Sequence, residues 1–144
     1  MVEPAPDFDK WINYDFLQKD FDDIKFDIII SNPPFSLSEE FIHKGLSLLS
    51  PNGVMAYMLN LTFMGSIGRE QRLFNAGLQP TQIIVSSRRI DFTGQGSPHT
   101  EIGMFVWHMP FLGASTILEW LDWEKYYEKQ KNRFGLGWSS VSIC

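Results

Sequence analysis

The pentapeptide Ser31-Asn32-Pro33-Pro34-Phe35 puts three chemistries into one turn. Asn32 offers an amide oxygen as acceptor and an amide nitrogen as donor. Pro33 and Pro34 stiffen the backbone around it, since each ring locks φ and supplies no N–H. Phe35 adds a flat apolar face. Together these groups suit a planar heterocycle with an exocyclic amine. The plain alternative is a turn that ends a strand; the buried-type strand before it and the helix signal after it favour a site. Metal chemistry has less to work with, because His43 and His108 stand alone without ligand spacing and are expected at the surface or an edge. Cys144, the only cysteine, provides neither a disulfide framework nor a thiolate cluster.

The elements around the pentapeptide decide where it sits. Residues 1–10 form an irregular, proline-containing lead-in, Trp11 to Phe16 reads as a short strand, and Gln18 to Lys25 as a charged connection. Phe26-Asp27-Ile28-Ile29-Ile30 is a run too apolar for a half-wet strand, which predicts a central parallel strand covered on both faces. Ser31 to Pro34 ends it, because two prolines cannot continue a ladder. Ser36-Leu37-Ser38-Glu39 fits a capping box, with Phe41, Ile42, Leu46, Leu48 and Leu49 at helical spacing after it and Pro51-Asn52-Gly53 as the turn that ends the helix. Strands are expected at Val54 to Leu59, Ile83 to Val85 and Glu101 to His108, and a short helix at Gly68 to Asn75 with Gly77 as its stop. Between the last two strands lies the loop Asp91 to Thr100 with no helical pattern, so they should pair as an antiparallel hairpin. Ser115 to Lys131 reads as a closing amphipathic helix, at about 115–131. The fold class expected is α/β, and in such open sheets ligands bind beyond the carboxyl ends of the strands, where Asn32 lies.

Composition sets the outer limits. The chain has 144 residues, 44% hydrophobic, 15% aromatic and 20% charged, which fits one globular domain over 1–144 with a real core. With 12 basic against 17 acidic residues, its net charge of −5 disfavours strong stand-alone binding to nucleic acid. The acidic, proline-rich start does not resemble a secretory signal, and no apolar run reaches the ~20 residues of a membrane span, so no membrane role and a cytoplasmic setting are expected.

Asn32-Pro33-Pro34-Phe35 resembles the (Asp/Asn)-Pro-Pro-(Tyr/Phe) motif of S-adenosylmethionine-dependent adenine-N6 DNA methyltransferases of phage and bacterial type. The surroundings resemble the family too: Asp15-Phe16 one loop upstream, the Phe26–Ile30 strand, Pro51-Asn52-Gly53-Val54, and Ser87 to Gly94 with Phe105-Val106-Trp107, which look like a late loop and hairpin. The resemblance covers roughly residues 11–109. It implies that the Asn32 oxygen and the Pro33 carbonyl accept the two hydrogens of the target amine, with Pro34 holding the turn and Phe35 stacking on the flipped base. Phe92 is implied at the opposite face of that base, with packing as the alternative. Asp15 is implied as the acceptor of the cofactor's adenine amino group, with Phe16 beside it. Arg69, Arg72, Arg88 and Arg89 could line a phosphate path; a solvated helix face and strand end explain them equally well. For Trp120, Trp123, Tyr126 and Tyr127 packing is expected, a base-stacking platform being the alternative.

The same resemblance implies a glycine-rich Phe-x-Gly-x-Gly turn at the start of the cofactor site, and no such turn precedes Asp15. The expectation is therefore a partial class I methyltransferase sheet that lacks its first strands, with an incomplete S-adenosylmethionine site and weak or no binding of that cofactor. Phe26–Ile30 would then be an exposed, sticky sheet edge, open to self-association or to a partner supplying the missing half. DNA is the expected substrate, held weakly by this chain alone. Methyltransferases for protein glutamine or for the guanine amino group in RNA, and an inactive interaction module, are the alternatives.

Overall fold

The computed structural model describes residues 15–86, 101–122 and 125. The elements are β1 (Phe26–Ser31), α1 (Ser38–Leu48), β2 (Leu49–Asn60), α2 (Ile67–Arg69, continued by a π-helical turn over Glu70–Phe74), β3 (Gln82–Ser86), β4 (Ile102–His108) and β5 (Ile117–Leu121). They form one mixed sheet in the order β1-β2-β4-β3-β5. β1 runs parallel to β2, while β4 lies antiparallel between β2 and β3. The fold is α/β, with the expected hairpin of β3 and β4.

One face of the sheet carries the core. Met55, Tyr57 and Leu59 of β2 alternate inward, as do Phe105 and Trp107 of β4, and they pack with Ile83, Leu73 and the α1 residues Ile42 and Leu46. Gly45 lets α1 come this close, since a Cβ there would stand 2.5 Å from Tyr57 Oη and would also strike Met55 Sδ. The buried polar ends are satisfied: Tyr57 Oη donates to the Phe41 carbonyl at 3.2 Å, and the Trp107 indole N–H donates to the Leu78 carbonyl at 2.9 Å. On the opposite face an open cleft of about 450 Å³ runs between Val54, Gln82, Val106, His108, Phe111 and Ile117.

Several expectations are corrected. β1 is an edge strand among the described residues, not a central one covered on both faces; Ile28 is 67% and Ile30 71% exposed. Its apolar run comes with a single neighbouring strand, so burial reaches only Ile29 on the core side. The capping box at Ser36 does not form. Pro34 leads instead into a 3₁₀ turn over Phe35–Leu37, whose Leu37 N–H bonds the Pro34 carbonyl at 2.9 Å, and α1 starts at Ser38 with Ser38 Oγ donating to the Phe35 carbonyl at 2.8 Å. Pro51-Asn52-Gly53 lies inside β2 rather than after the helix: Leu49 is already extended, and the pairing with β1 jumps from Phe26↔Leu49 to Ile28↔Val54. A turn, not a strand, covers 16–18, and residues 11–14 lie outside the described residues.

The expected closing helix is replaced, over 117–121, by β5, parallel to β3 at the far edge. Ile117, Leu118 and Leu121 fit a helical face and a strand equally well. The open edge of β3 decides between them, because its backbone groups find partners in a strand and none in a helix. Thr116 Oγ1 donates to the Pro80 carbonyl at 2.6 Å and Gln82 Nε2 donates to Glu119 Oε2 at 2.8 Å, fixing the register. Beyond β5, Asp122 Oδ1 accepts from Lys125 N–H at 3.2 Å. The rest of the expected helix, at 123–124 and 126–131, lies outside the described residues, as do Trp123, Tyr126 and Tyr127. The helix expected at Gly68 to Asn75 does form, starting at Ile67 and widening so that Asn75 N–H bonds the Glu70 carbonyl at 2.7 Å. Gly77 stops it with φ +74°.

Candidate functional site

The chain leaves β1 at Ser31 and enters the turn at the carboxyl end of the parallel pair β1–β2. Asn32 is exposed there, and its side chain makes no hydrogen bond among the described residues. Pro33 is buried and anchors the turn. Pro34 is extended at φ −55° and ψ 128°, the hinge from strand into 3₁₀ turn. Phe35, 44% exposed, keeps much of its ring open to solvent. The tetrad is thus a pinned backbone that presents one unengaged amide and one accessible aromatic face.

The neighbouring loop at the end of β2 starts with Asn60, whose Oδ1 accepts from Thr62 N–H at 2.9 Å and opens the 3₁₀ turn Leu61–Met64. It runs on into α2, and the π-helical turn carries Arg72. Arg72 grips Glu39 in the first turn of α1 through Nε and Nη2, the latter at 2.9 Å from Glu39 Oε2. Two segments 33 residues apart are thereby clamped together beside the tetrad's helix. The Arg72 hydrogen bond holds the Glu39 carboxyl below its ordinary range, and partial burial opposes it. Arg69 is likewise engaged, donating to the Phe63 carbonyl at 3.0 Å with its guanidinium 4.6 Å from the Phe63 ring centre. Both arginines therefore serve this loop's architecture, and Arg88 and Arg89 lie outside the described residues.

Asp15 and Phe16 approach from the other side of α1. The Phe16 ring stacks on Phe41 of α1 with centroids 5.1 Å apart, and Lys44 Nζ donates to the Lys19 carbonyl at 2.8 Å. The turn is thus moored to the helix into which Asn32–Phe35 leads. Asp15 Oδ1 accepts from Leu17 N–H at 2.9 Å, a local turn bond, and the carboxylate stays exposed with acceptor capacity remaining. Such a carboxylate fits an amino group as partner. Phe16 has one face against Phe41 and offers less. Phe92 lies outside the described residues.

Sequence reading missed the Glu39–Arg72 clamp and the Gly45 approach, since both depend on which distant segments meet. The weak available signal for the clamp was an arginine in a short helix directly after the second strand. His43 is exposed, as expected; His108 is half-buried at the end of β4, a strand inside the sheet and not at its edge, with its ring edge-on to Phe111 at 5.0 Å. No group of three or more His, Cys, Asp or Glu side chains that could hold a metal occurs among the described residues. Nor, among them, is any helix long and apolar enough to cross a membrane.

No protein-family description and no curated protein matches the chain. Solved structures similar to it include the M1.HpyAVI–SAM complex, 20% identical, with 67% of this chain and 56% of that one covered and a TM-score of 0.36. A second M1.HpyAVI structure is 15% identical, with 79% of this chain and 90% of that one covered and a TM-score of 0.36. The chain spans about half the length of the SAM complex's chain.

Proposed function

We propose that Asn32-Pro33-Pro34-Phe35 is the target-amine site for transfer of a methyl group from S-adenosylmethionine to the exocyclic amino group of adenine in DNA. One observation carries the reading: at the carboxyl end of β1 a buried Pro33 pins a turn that leaves the Asn32 amide exposed and, among the described residues, unbonded beside the open face of Phe35. The sheet order supports it, since a parallel pair followed by an antiparallel hairpin is what the motif's family resemblance implies.

The chemistry follows from the amine. Its lone pair is delocalised into the purine ring, so it is a poor nucleophile. The Asn32 Oδ1 and the Pro33 carbonyl would each accept one of its hydrogens and favour a tetrahedral nitrogen with a localised lone pair. Phe35 would stack on the base and hold it in place after it leaves the duplex. S-adenosylmethionine, when bound, supplies a methyl group activated by a sulfonium. The amine nitrogen, held by Asn32 and the Pro33 carbonyl, would attack that carbon, the N–C bond forming as the S–C bond breaks with its electron pair kept by sulfur, and the nitrogen's proton would leave to solvent past the two acceptors. Asp15 would accept from the cofactor's adenine amino group. The net charge of −5 makes the grip on DNA weak in this chain alone, so transfer is measured at low salt and high DNA concentration.

The test is transfer of a radiolabelled methyl group to adenine-containing DNA by the wild type and by Asn32→Ala. Loss of transfer in a folded Asn32→Ala variant supports the reading. Equal transfer by both, or none by the wild type, overturns it.

A further inference from the structure

We infer that Arg72 is a positioning residue of the target-amine site, acting through Glu39 to hold Phe35 and the Pro33–Pro34 turn in the pose that methyl transfer needs. The inference rests on the target-amine reading above. At the carboxyl ends of the parallel strands β1 and β2, where ligands of such sheets bind, one loop carries the tetrad and the other runs from Asn60 to Arg72.

On the tetrad's side the connection is short. The Pro34 carbonyl accepts from Leu37 N–H at 2.9 Å, the Phe35 carbonyl accepts from Ser38 Oγ at 2.8 Å, and Glu39 is the next residue. Whatever fixes the Glu39 carboxylate therefore fixes the frame that carries the Phe35 ring and the Pro33 carbonyl. Arg72 fixes it at two points, Nε on Oε1 and Nη2 on Oε2 at 2.9 Å, and a planar fork sets orientation as well as distance. The arginine's own end is held too. Phe63 is buried, Arg69 lies over its ring and bonds its carbonyl, and Leu73 beside Arg72 is fully buried. Gly68 leaves the fork room, since a Cβ there would stand 2.9 Å from Arg72 Nη1.

Magnitudes separate positioning from a role in folding. The Arg72 side chain is 62% exposed, and an ion pair that open to water adds little to stability. Ile42 and Leu46 already seat α1 without it. A shift of ~1 Å in a reacting group can slow a reaction ~100-fold, so the same contact weighs far more in transfer than in folding.

The test is steady-state methyl transfer to adenine-containing DNA by the wild type, Arg72→Met, Glu39→Met and the double variant, with urea unfolding of each. Each single variant is expected to lower kcat about tenfold or more, with KM for DNA within about threefold and the unfolding midpoint nearly unchanged. The double variant is expected to match the singles, because both remove one contact. An Arg72 that gripped DNA phosphate instead would raise KM when lost and, released by Glu39→Met, would lower it. That pattern, an unchanged kcat, additive losses, or a kcat that falls only in step with the unfolding midpoint overturns the inference. Hydrogen exchange needs no turnover: the Leu37 amide exchanges about threefold or more faster in Arg72→Met, while the Tyr57 and Phe105 amides keep their protection. No transfer by the wild type overturns the target-amine reading; equal exchange at Leu37 in both proteins overturns the coupling through Glu39.

Discussion

Gly45→Ala tests how α1 is seated on the sheet. The added Cβ would stand 2.5 Å from Tyr57 Oη and 3.3 Å from Tyr57 Cζ, and would also strike Met55 Sδ. Tyr57 and Met55 are both fully buried, so neither side chain has room to withdraw. Overpacking of this kind costs about 1–3 kcal/mol. A displaced Tyr57 also loses its bond to the Phe41 carbonyl, worth roughly 1 kcal/mol net. Alanine's better helix propensity returns about 1 kcal/mol. The balance is a destabilisation of about 1–3 kcal/mol, a fall in Tm of roughly 3–10 °C for a domain of this size. Urea and thermal unfolding followed by circular dichroism measure it. Gly65→Ala is the control, since its Cβ would meet only the Thr62 carbonyl oxygen at 3.7 Å, an ordinary contact, and it is expected to be neutral or slightly stabilising. A Gly45→Ala protein as stable as the wild type would refute the close seating of α1, and with it the fixed position of the helix that follows the tetrad.

Gly77→Ala forces an L-residue to φ +74° and lowers stability by about 1 kcal/mol or slightly more in urea unfolding. Burial pushes the Tyr57 hydroxyl up to about 12 from an ordinary 10, so its contribution to stability is full below pH 10 and is lost as pH rises through 12. Tyr57→Phe removes that alkaline loss, read from unfolding curves and from tyrosinate absorbance. Because Arg72 depresses Glu39, the clamp contributes above the unfolded carboxyl value of 4.5 and fades as pH falls through the lower folded value. Arg72→Met flattens that acid limb in unfolding measured at stepped pH.

Much of the sheet could be read from local sequence because its signals are local. Phe26 to Ile30 is β-branched and ends at two prolines, and no helical pattern separates Val85 from Glu101, so a strand and a hairpin follow. What escaped reading depends on distant partners. Ile117 to Leu121 suits helix and strand alike until the free edge of β3 is known. The Ser36 capping box lost to a 3₁₀ turn that Pro34 sets up through its own carbonyl. Three consecutive isoleucines announce burial, yet burial needs neighbours on both sides, and β1 has one strand beside it among the described residues. In the candidate site, the tetrad itself was legible because its chemistry lies within four consecutive residues. The Glu39–Arg72 clamp was not, since nothing near either residue names the other.

The identity of the methylated atom tests the central claim most directly. Wild type and Asn32→Ala would each be incubated with labelled S-adenosylmethionine and adenine-containing DNA, and the digested products resolved by mass spectrometry. The expected result is N6-methyl-2′-deoxyadenosine from the wild type and none from the variant, whose unfolding curve matches the wild type because the Asn32 side chain is exposed and makes no hydrogen bond among the described residues. A methyl group on any other nucleoside or on a protein glutamine, or equal N6-methyladenine from both proteins, would contradict the assignment of Asn32 as the residue that prepares the adenine amine.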